Sequence, residues 1–283
     1  MALSPKGRRG YAAGALVLAA ALTLTACGGG SSSGSTTSAS ASAAGGVKLV
    51  QPGKLTVCTN IPYEPFQFKD ASGKIVGFDV DIVDLAAKKL GVTQNIVDID
   101  FAVIKSGAAM AAGKCDVAAA GMTITPERQQ NIDFSDPYFD ATQALLAKKG
   151  TGAKSLEDVK AKNLKLGAQA STTGLDYVKK QGFNPTEYAD SAKELLALQA
   201  GQADVIVQDL PVVLTWLKKP EIAAKFELIA SLNTGEQYGI GLKKGADPVL
   251  LKTINEEIAK AKQDGTYEKI YVKWFGKKPG ELG

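Results

Sequence analysis

Gly121-Met-Thr-Ile-Thr-Pro-Glu-Arg128, followed by Ile132-Asp-Phe-Ser-Asp-Pro-Tyr138, is the stretch whose reading decides the fold. Residues 116–122 are short, apolar and rich in alanine, which predicts a strand covered on both faces. Thr125-Pro126-Glu127 reads as a helix start, with Thr125 as cap, Pro126 at the first helical position and Glu127 against the positive helix end. Arg128 then falls in the first turn, near the carboxyl end of the strand, where open α/β sheets bind ligands. Its guanidinium is a permanently charged fork that matches a carboxylate. Gly121 allows close approach to the backbone, and Thr123 adds a hydroxyl. Taken alone, so short a motif fits an ordinary turn with a surface arginine better than a binding site.

The neighbouring pattern supplies context. Residues 54–60 read as a first strand. Asp79 is placed to cap a helix running to Leu90, with Asp81 and Asp84 near its start, Lys88 and Lys89 near its end and Gly91 after it. Residues 96–101 alternate as a strand, and 102–112 read as one helix stopped by Gly113. This β-α-β-α-β run predicts a parallel, right-handed, doubly wound sheet. After Tyr138 the pattern restarts. Ser155-Leu-Glu-Asp158 and Ser191-Ala-Lys-Glu194 read as capping boxes. Strands are expected at 164–169, 203–208 (ending at Asp209) and 226–230, with helices at 172–181 and 210–218. A strand at 237–243, a helix at 247–264 and a shorter one through Trp274 close the chain. At 283 residues the chain is long for one core and comfortable for two lobes.

Composition removes several function classes. There is no histidine, so no histidine base, nucleophile activator or metal ligand exists. Beyond Cys27 only Cys58 and Cys115 remain, without CxxC spacing, so neither a metal site nor a cofactor is expected. The net charge of +4 includes Lys6, Arg8 and Arg9 of the leader. No basic cluster with interleaved aromatics points to nucleic acid. Residues 1–26 read as a signal peptide, with a positive n-region and an apolar run too short to span a bilayer. Leu24-Thr-Ala-Cys27 resembles the bacterial lipobox, which implies a lipid on Cys27. Residues 27–48, nearly all Gly, Ser, Thr and Ala, are expected to form a flexible tether.

Four segments, which keep the family's order along the chain, resemble one family. They are the opening stretch, Tyr63-Glu-Pro-Phe66, Gly73-Lys-Ile-Val-Gly-Phe-Asp-Val-Asp81 and Asp264-Gly-Thr-Tyr-Glu-Lys-Ile-Tyr-Val-Lys-Trp-Phe-Gly276. Together they resemble the amino-acid-binding branch of the solute-binding proteins that feed ABC importers (family 3). The resemblance implies a two-lobed periplasmic-binding-protein type II fold, each lobe a doubly wound, mostly parallel sheet flanked by helices. Lobe I would comprise 49–140 and 237–283, and lobe II 141–236, with hinge crossings near 139–142 and 234–237. It also implies a monomer outside the cytoplasm, anchored to the membrane through Cys27 and delivering its ligand to an ABC permease.

A free amino acid presents a carboxylate, an ammonium and a side chain, and each has a candidate partner. Arg128 is the first choice for the carboxylate. The helix start at Ser171-Thr172-Thr173-Gly174 is the second, because a helix N-terminus offers free N–H groups; the resemblance gives Thr172 and Thr173 this role. Asp209 ends an apolar strand and fits either a helix cap or an ammonium partner; the resemblance implies the latter, with the Gly121 backbone and Thr123 hydroxyl beside it and Met122 counted with them. Asn60, Tyr63, Phe66 and Phe101 are nominated for the side-chain pocket, with Tyr63 and Phe101 as the sandwich the resemblance implies and Phe66 open to a core role. Relatives binding glutamine or basic amino acids often carry Asp where this chain has Asn60. With Gln169 and Gln208 also neutral, the expected ligand is neutral and polar, glutamine first. Glu64 would alter this if it turned inward.

The expected class is a binding module rather than an enzyme. The alternative is a periplasmic enzyme on the same fold, such as a cyclohexadienyl or arogenate dehydratase, with Glu64 as acid or base. A last expectation concerns Cys58 and Cys115. Placing Thr59-Asn60 level with Gly121-Met122 on parallel strands separates the two cysteines by roughly 13–17 Å. A disulfide requires Cα atoms within about 7 Å, so two free thiols are expected.

Overall fold

The computed structural model describes residues 46–282. The expected signal segment, Cys27 and nearly all of the tether lie outside them. Val47, within the expected tether, is already buried in the core.

Two five-stranded sheets organise these residues. The first runs in the order Thr93–Asp98, Lys54–Thr59, Val117–Ala118, Gly241–Lys243, Ile132–Phe134. Its first three strands are parallel, and Gly241–Lys243 lies antiparallel to both of its neighbours. Lys54–Thr59 is buried along nearly all its length because helices cover both faces. Leu55 and Val57 pack with Phe78, Ile82 and Val83 on one side. Cys58 packs with Phe101, Ile104 and Met110 on the other. The second sheet runs Phe226–Tyr238, Phe139–Lys148, Val205–Asp209, Leu166–Gln169, Thr186–Tyr188. Here Val205–Asp209 is parallel to Leu166–Gln169 and antiparallel to Phe139–Lys148. The chain leaves the first sheet after Phe134, enters the second at Phe139, and returns between Tyr238 and Gly241.

The helix Pro248–Asp264 carries Leu250, Ile254 and Ile258 on one buried stripe, a four-residue spacing that keeps them on one face. They belong to the core that includes Ile82 and Val83 of the helix Phe78–Lys89. The final helix, Thr266–Phe275, seals an aromatic cluster. Phe66 lies at its centre, 5.1 Å from Phe139, 5.3 Å from Tyr238 and 5.6 Å from Phe275, ring to ring.

Several local expectations need correction. The strand expected over 116–122 is only Val117–Ala118. The single helix expected over 102–112 is two pieces, Phe101–Lys105 and Ala108–Ala111. Gly107 divides them at φ 77°, where a Cβ would meet the Asn131 carbonyl oxygen at 2.8 Å. Asp79 does not cap the Phe78–Lys89 helix; Gly77 holds that position and Asp79 is buried. The helix Ser191–Gln199 is capped by Asp190, so Ser191 and Glu194 form no capping box. Ser155 does cap its helix, accepting from the Asp158 N–H.

The largest correction is the disulfide joining Cys58 and Cys115, with Cα atoms 5.6 Å apart. Two steps in the expected geometry fail. The register pairs Cys58 with Ala118, which brings Cys115 two residues closer than assumed. The ladder also starts only at Val117, so Cys115 is not held in an extended strand below Cys58. Thiol titration of the denatured, unreduced domain lacking Cys27 is expected to find no free group. Cysteine-to-serine variants at both positions are expected to lose about 2–4 kcal/mol of stability in denaturant unfolding. Two titratable thiols before reduction would overturn the pairing.

Candidate functional site

The carboxyl ends of the two sheets meet at a cleft lined by both of them. Asn60, Tyr63, Phe101, Gly121, Thr123 and Arg128 line it from the first-sheet side. Gln169, Thr172, Thr173, Gln208 and Asp209 line it from the other. Two nominated residues stand elsewhere. Phe66 is fully buried in the aromatic cluster, and the Met122 side chain packs in the core with Ile132. Apolar side chains with room to bury fully do so, whatever their distance from a site in sequence.

Arg128 is 6% exposed. Thr125 caps the short helix Pro126–Gln129 by accepting from the Arg128 N–H, which fixes where the side chain starts. The guanidinium donates to the carbonyls of Thr123 (2.8 Å) and Ser171 (3.3 Å) and stands 5.5 Å over the Phe101 ring. These bonds leave donors over, so the fork is oriented but not exhausted. Burial pulls its pKa down, and the charges of Asp176 and Glu236 oppose that. Across the cleft, the helix Thr173–Lys180 points its N-terminus inward. Thr172 is committed to it, accepting from Leu175 N–H and donating to the Gln169 carbonyl. The Thr173 hydroxyl lies 3.3 Å from that of Thr123.

Asp209 precedes the helix Leu210–Leu217 but makes no cap bond. Its carboxylate turns into the cleft wall, where one oxygen accepts from the Tyr63 and Tyr238 hydroxyls and the other from Gln143 Nε2 at 2.6 Å. Burial pushes its pKa up to about 6, held back by the two tyrosine bonds. Gly121 sits at φ 54°, and a Cβ there would meet the Tyr63 ring at 2.8 Å, so glycine is required for Tyr63 to lie over the loop. The Gly121 N–H donates to Asp79 at 2.8 Å. Asp79 also accepts from the Tyr138 hydroxyl at 2.7 Å, and burial pushes its pKa up to about 7. Asp79 thus anchors the loop that the sequence had it stand apart from. Glu64 does not line the cleft; it pairs with Lys219 at 3.1 Å.

Sequence reasoning missed Gln67, Gln143, Tyr238 and Glu236. Gln143 carried a readable signal, being a polar residue within an otherwise apolar buried stretch of strand. Tyr238 carried none, because only the returning strand brings it to Asp209. Chemically, the cleft offers a buried cation, a buried anion, two aromatic faces and several amides. That set matches a small zwitterion with a polar tail.

The family model of bacterial extracellular solute-binding proteins, family 3, matches residues 55–277. The chain belongs to this family, and its fold is the two-lobed α/β type II periplasmic-binding-protein fold. It is similar to the probable histidine-binding protein of Neisseria gonorrhoeae, 34% identical over 81% of this chain and 86% of that one. It is similar to the ABC transporter glutamine-binding protein of Bacillus subtilis, 34% identical over 75% and 77%. Among solved structures, an ancestral arginine-binding protein bound to glutamine superposes with a TM-score of 0.73 at 42% identity, covering 80% of this chain and 99% of that one. Among the described residues no helix is long and apolar enough to cross a membrane.

Proposed function

We propose that this protein is the substrate-binding component of an ABC importer and captures a polar α-amino acid, glutamine first among the candidates. The observation that carries the reading is the convergence of buried Arg128 and buried Asp209 on one cleft. Arg128 and Thr173 hold the α-carboxylate. Asp209, the Gly121 carbonyl and Thr123 hold the α-ammonium. Tyr63 and Phe101 flank the side chain, and Asn60, Gln169 and Gln208 read its end, with Gln67 added to them. The lobes are 49–140 with 237–283, and 141–236; they close by the two crossing segments, because each lobe holds contacts that the ligand completes only when both meet it. The protein acts as a monomer, tethered outside the cytoplasm by lipid on Cys27 after removal of 1–26. Relatives named for histidine, for glutamine and for arginine support an amino acid and leave its identity to the cleft. The dehydratase alternative drew its acid or base from Glu64, which stands outside the cleft paired with Lys219; turnover of prephenate or arogenate would replace the present reading.

A thermal-shift screen of the twenty amino acids and ornithine tests the proposal, since a ligand of the folded state raises its apparent stability. Glutamine is expected to give the largest shift. Arginine or lysine as the only active ligand would overturn glutamine, and no response to any amino acid would overturn the reading itself.

The affinity is expected to fall with acid. Asp209, raised to about 6 in the free cleft, is protonated below that pH, whereas pairing with an ammonium needs it ionised. Calorimetry with glutamine should therefore find binding about tenfold weaker at pH 5 than at pH 7.5. Ligand-free stability moves oppositely: a carboxyl raised by folding contributes stability below its unfolded pKa that is lost as pH rises through about 6. Affinity constant from pH 7.5 to pH 5 would show that Asp209 does not pair with the ligand.

A further inference from the structure

Glu194 is a buried carboxyl that the proposed binding scheme does not use. It is 0% exposed, lies beneath the cleft on the helix Ser191–Gln199, and does not line the cleft. One oxygen accepts from Gln208 Nε2 at 2.8 Å, and the Gln169 N–H lies near enough to the carboxyl to favour its charged form. Burying such a group is costly, and burial pushes its pKa well above the usual carboxylate range. Whatever it does repays that cost.

Its effect is visible in the amides of the cleft. A primary amide presents donors or an acceptor according to which end the protein occupies. Asn60 gives its Nδ2 to the Ile99 carbonyl at 3.1 Å, and Gln67 gives its Nε2 to the Asn60 carbonyl at 3.3 Å. Gln208 gives its Nε2 to Glu194 at 2.8 Å and, at a longer 3.5 Å, to Gln169 Oε1. Each is left with its oxygen for the cleft. The Gln67 oxygen is buried without a partner. The Gln208 oxygen accepts from Asp209 N–H at 2.8 Å and lies 2.9 Å from the Tyr63 hydroxyl. That hydroxyl has one hydrogen and also meets Asp209, so the Gln208 oxygen keeps accepting capacity.

Two of the three anchors are backbone carbonyls, which no substitution removes. The third is a side chain. We propose that Glu194 is a positioning residue that holds Gln208 with its oxygen toward the cleft, and so selects ligands whose side chain ends in N–H donors over those ending in a carboxylate. The preferred class is carboxamide and guanidinium tails, and the rejected class is glutamate and aspartate. A carboxylate tail would set lone pairs against amide oxygens that cannot turn over, leaving buried acceptors unpaired. Both the ionised and the neutral carboxyl of Glu194 accept from Gln208, so the device works in either form. The inference rests on the amino-acid reading above and deepens it.

The test measures affinities for glutamine and glutamate by calorimetry on the folded protein. Wild type is expected to prefer glutamine by at least about a hundredfold. Glu194→Leu removes the acceptor and is expected to cut that preference about tenfold, because only the Asp209 N–H then opposes Gln208 turning its Nε2 to the ligand. Glu194→Gln keeps an acceptor in place and should restore the preference. In a Gln208→Leu background, Glu194→Leu should change the ratio no further. A merely structural role would weaken both ligands alike and leave the ratio fixed, and that result overturns the proposal. If Glu194→Leu does not fold, Gln208→Leu alone must lower the ratio, and its failure to do so overturns the proposal equally. Wild type binding glutamate as tightly as glutamine overturns this inference alone. Wild type binding no amino acid overturns the amino-acid reading, and this inference falls with it.

Discussion

Replacing Arg128 by alanine is expected to abolish measurable glutamine binding while the fold survives. The guanidinium is 6% exposed and already oriented by the Thr123 and Ser171 carbonyls, so it meets a carboxylate without further ordering. Removing one partner of a buried charged pair costs roughly 3–5 kcal/mol, which is more than a hundredfold in affinity. The fold has less at stake. The helix start keeps the Thr125 hydroxyl and Pro126, and Thr123 itself lines the cleft. Removing a desolvated cation also relieves a burial cost. Circular dichroism and thermal unfolding should match wild type, while calorimetry finds no heat of binding at hundredfold higher ligand concentration. Near wild-type affinity in the folded variant would take Arg128 out of the site.

How much of this could be read from the chain differs from residue to residue. The turn around Arg128 was legible because its determinants are local: a capping threonine, a proline and a helix within ten residues. The alternation of strands and helices was legible for the same reason. Tyr238 was not, because its partnership with Asp209 depends on a strand that leaves one sheet and returns to the other. Asp79 was misread because an acidic residue at a helix start has an ordinary local use, and only the folded loop at Gly121 gives it a better one. Glu194 was misread identically. The spacing of Ser191 and Glu194 fits a cap, but burial beneath Gln208 outweighs that local option. The cysteine error had another source. A two-residue change of register, with a ladder that starts only at Val117, turns a remote pair into a bonded one, and nothing local to either cysteine fixes either.

Asp209→Asn is expected to lower glutamine affinity at least a hundredfold and to flatten its pH dependence. Asparagine keeps the shape but brings two hydrogens to a place where every neighbour already donates. Tyr63, Tyr238 and Gln143 all give hydrogens to the carboxylate, and the ligand ammonium would give more. The substitution therefore removes the charge that pairs with the ammonium and leaves fewer accepting sites among these donors, which costs more than the loss of a neutral bond. Asp209→Ala would leave those three donors without their acceptor and is expected to unfold earlier as well, so asparagine separates binding from stability better. Calorimetry at pH 7.5 and pH 5 is the check. Wild type should weaken about tenfold between them, while Asp209→Asn, with no group titrating near 6 at that position, should show the same weak affinity at both. A variant that kept the tenfold change would move the titrating group elsewhere in the cleft. The candidates are then the other buried carboxyls whose pKa burial raises: Asp79, pushed up to about 7 and holding the Gly121 N–H, and Glu194 behind Gln208. The Asp79→Asn and Glu194→Gln variants, titrated the same way, would identify which one it is.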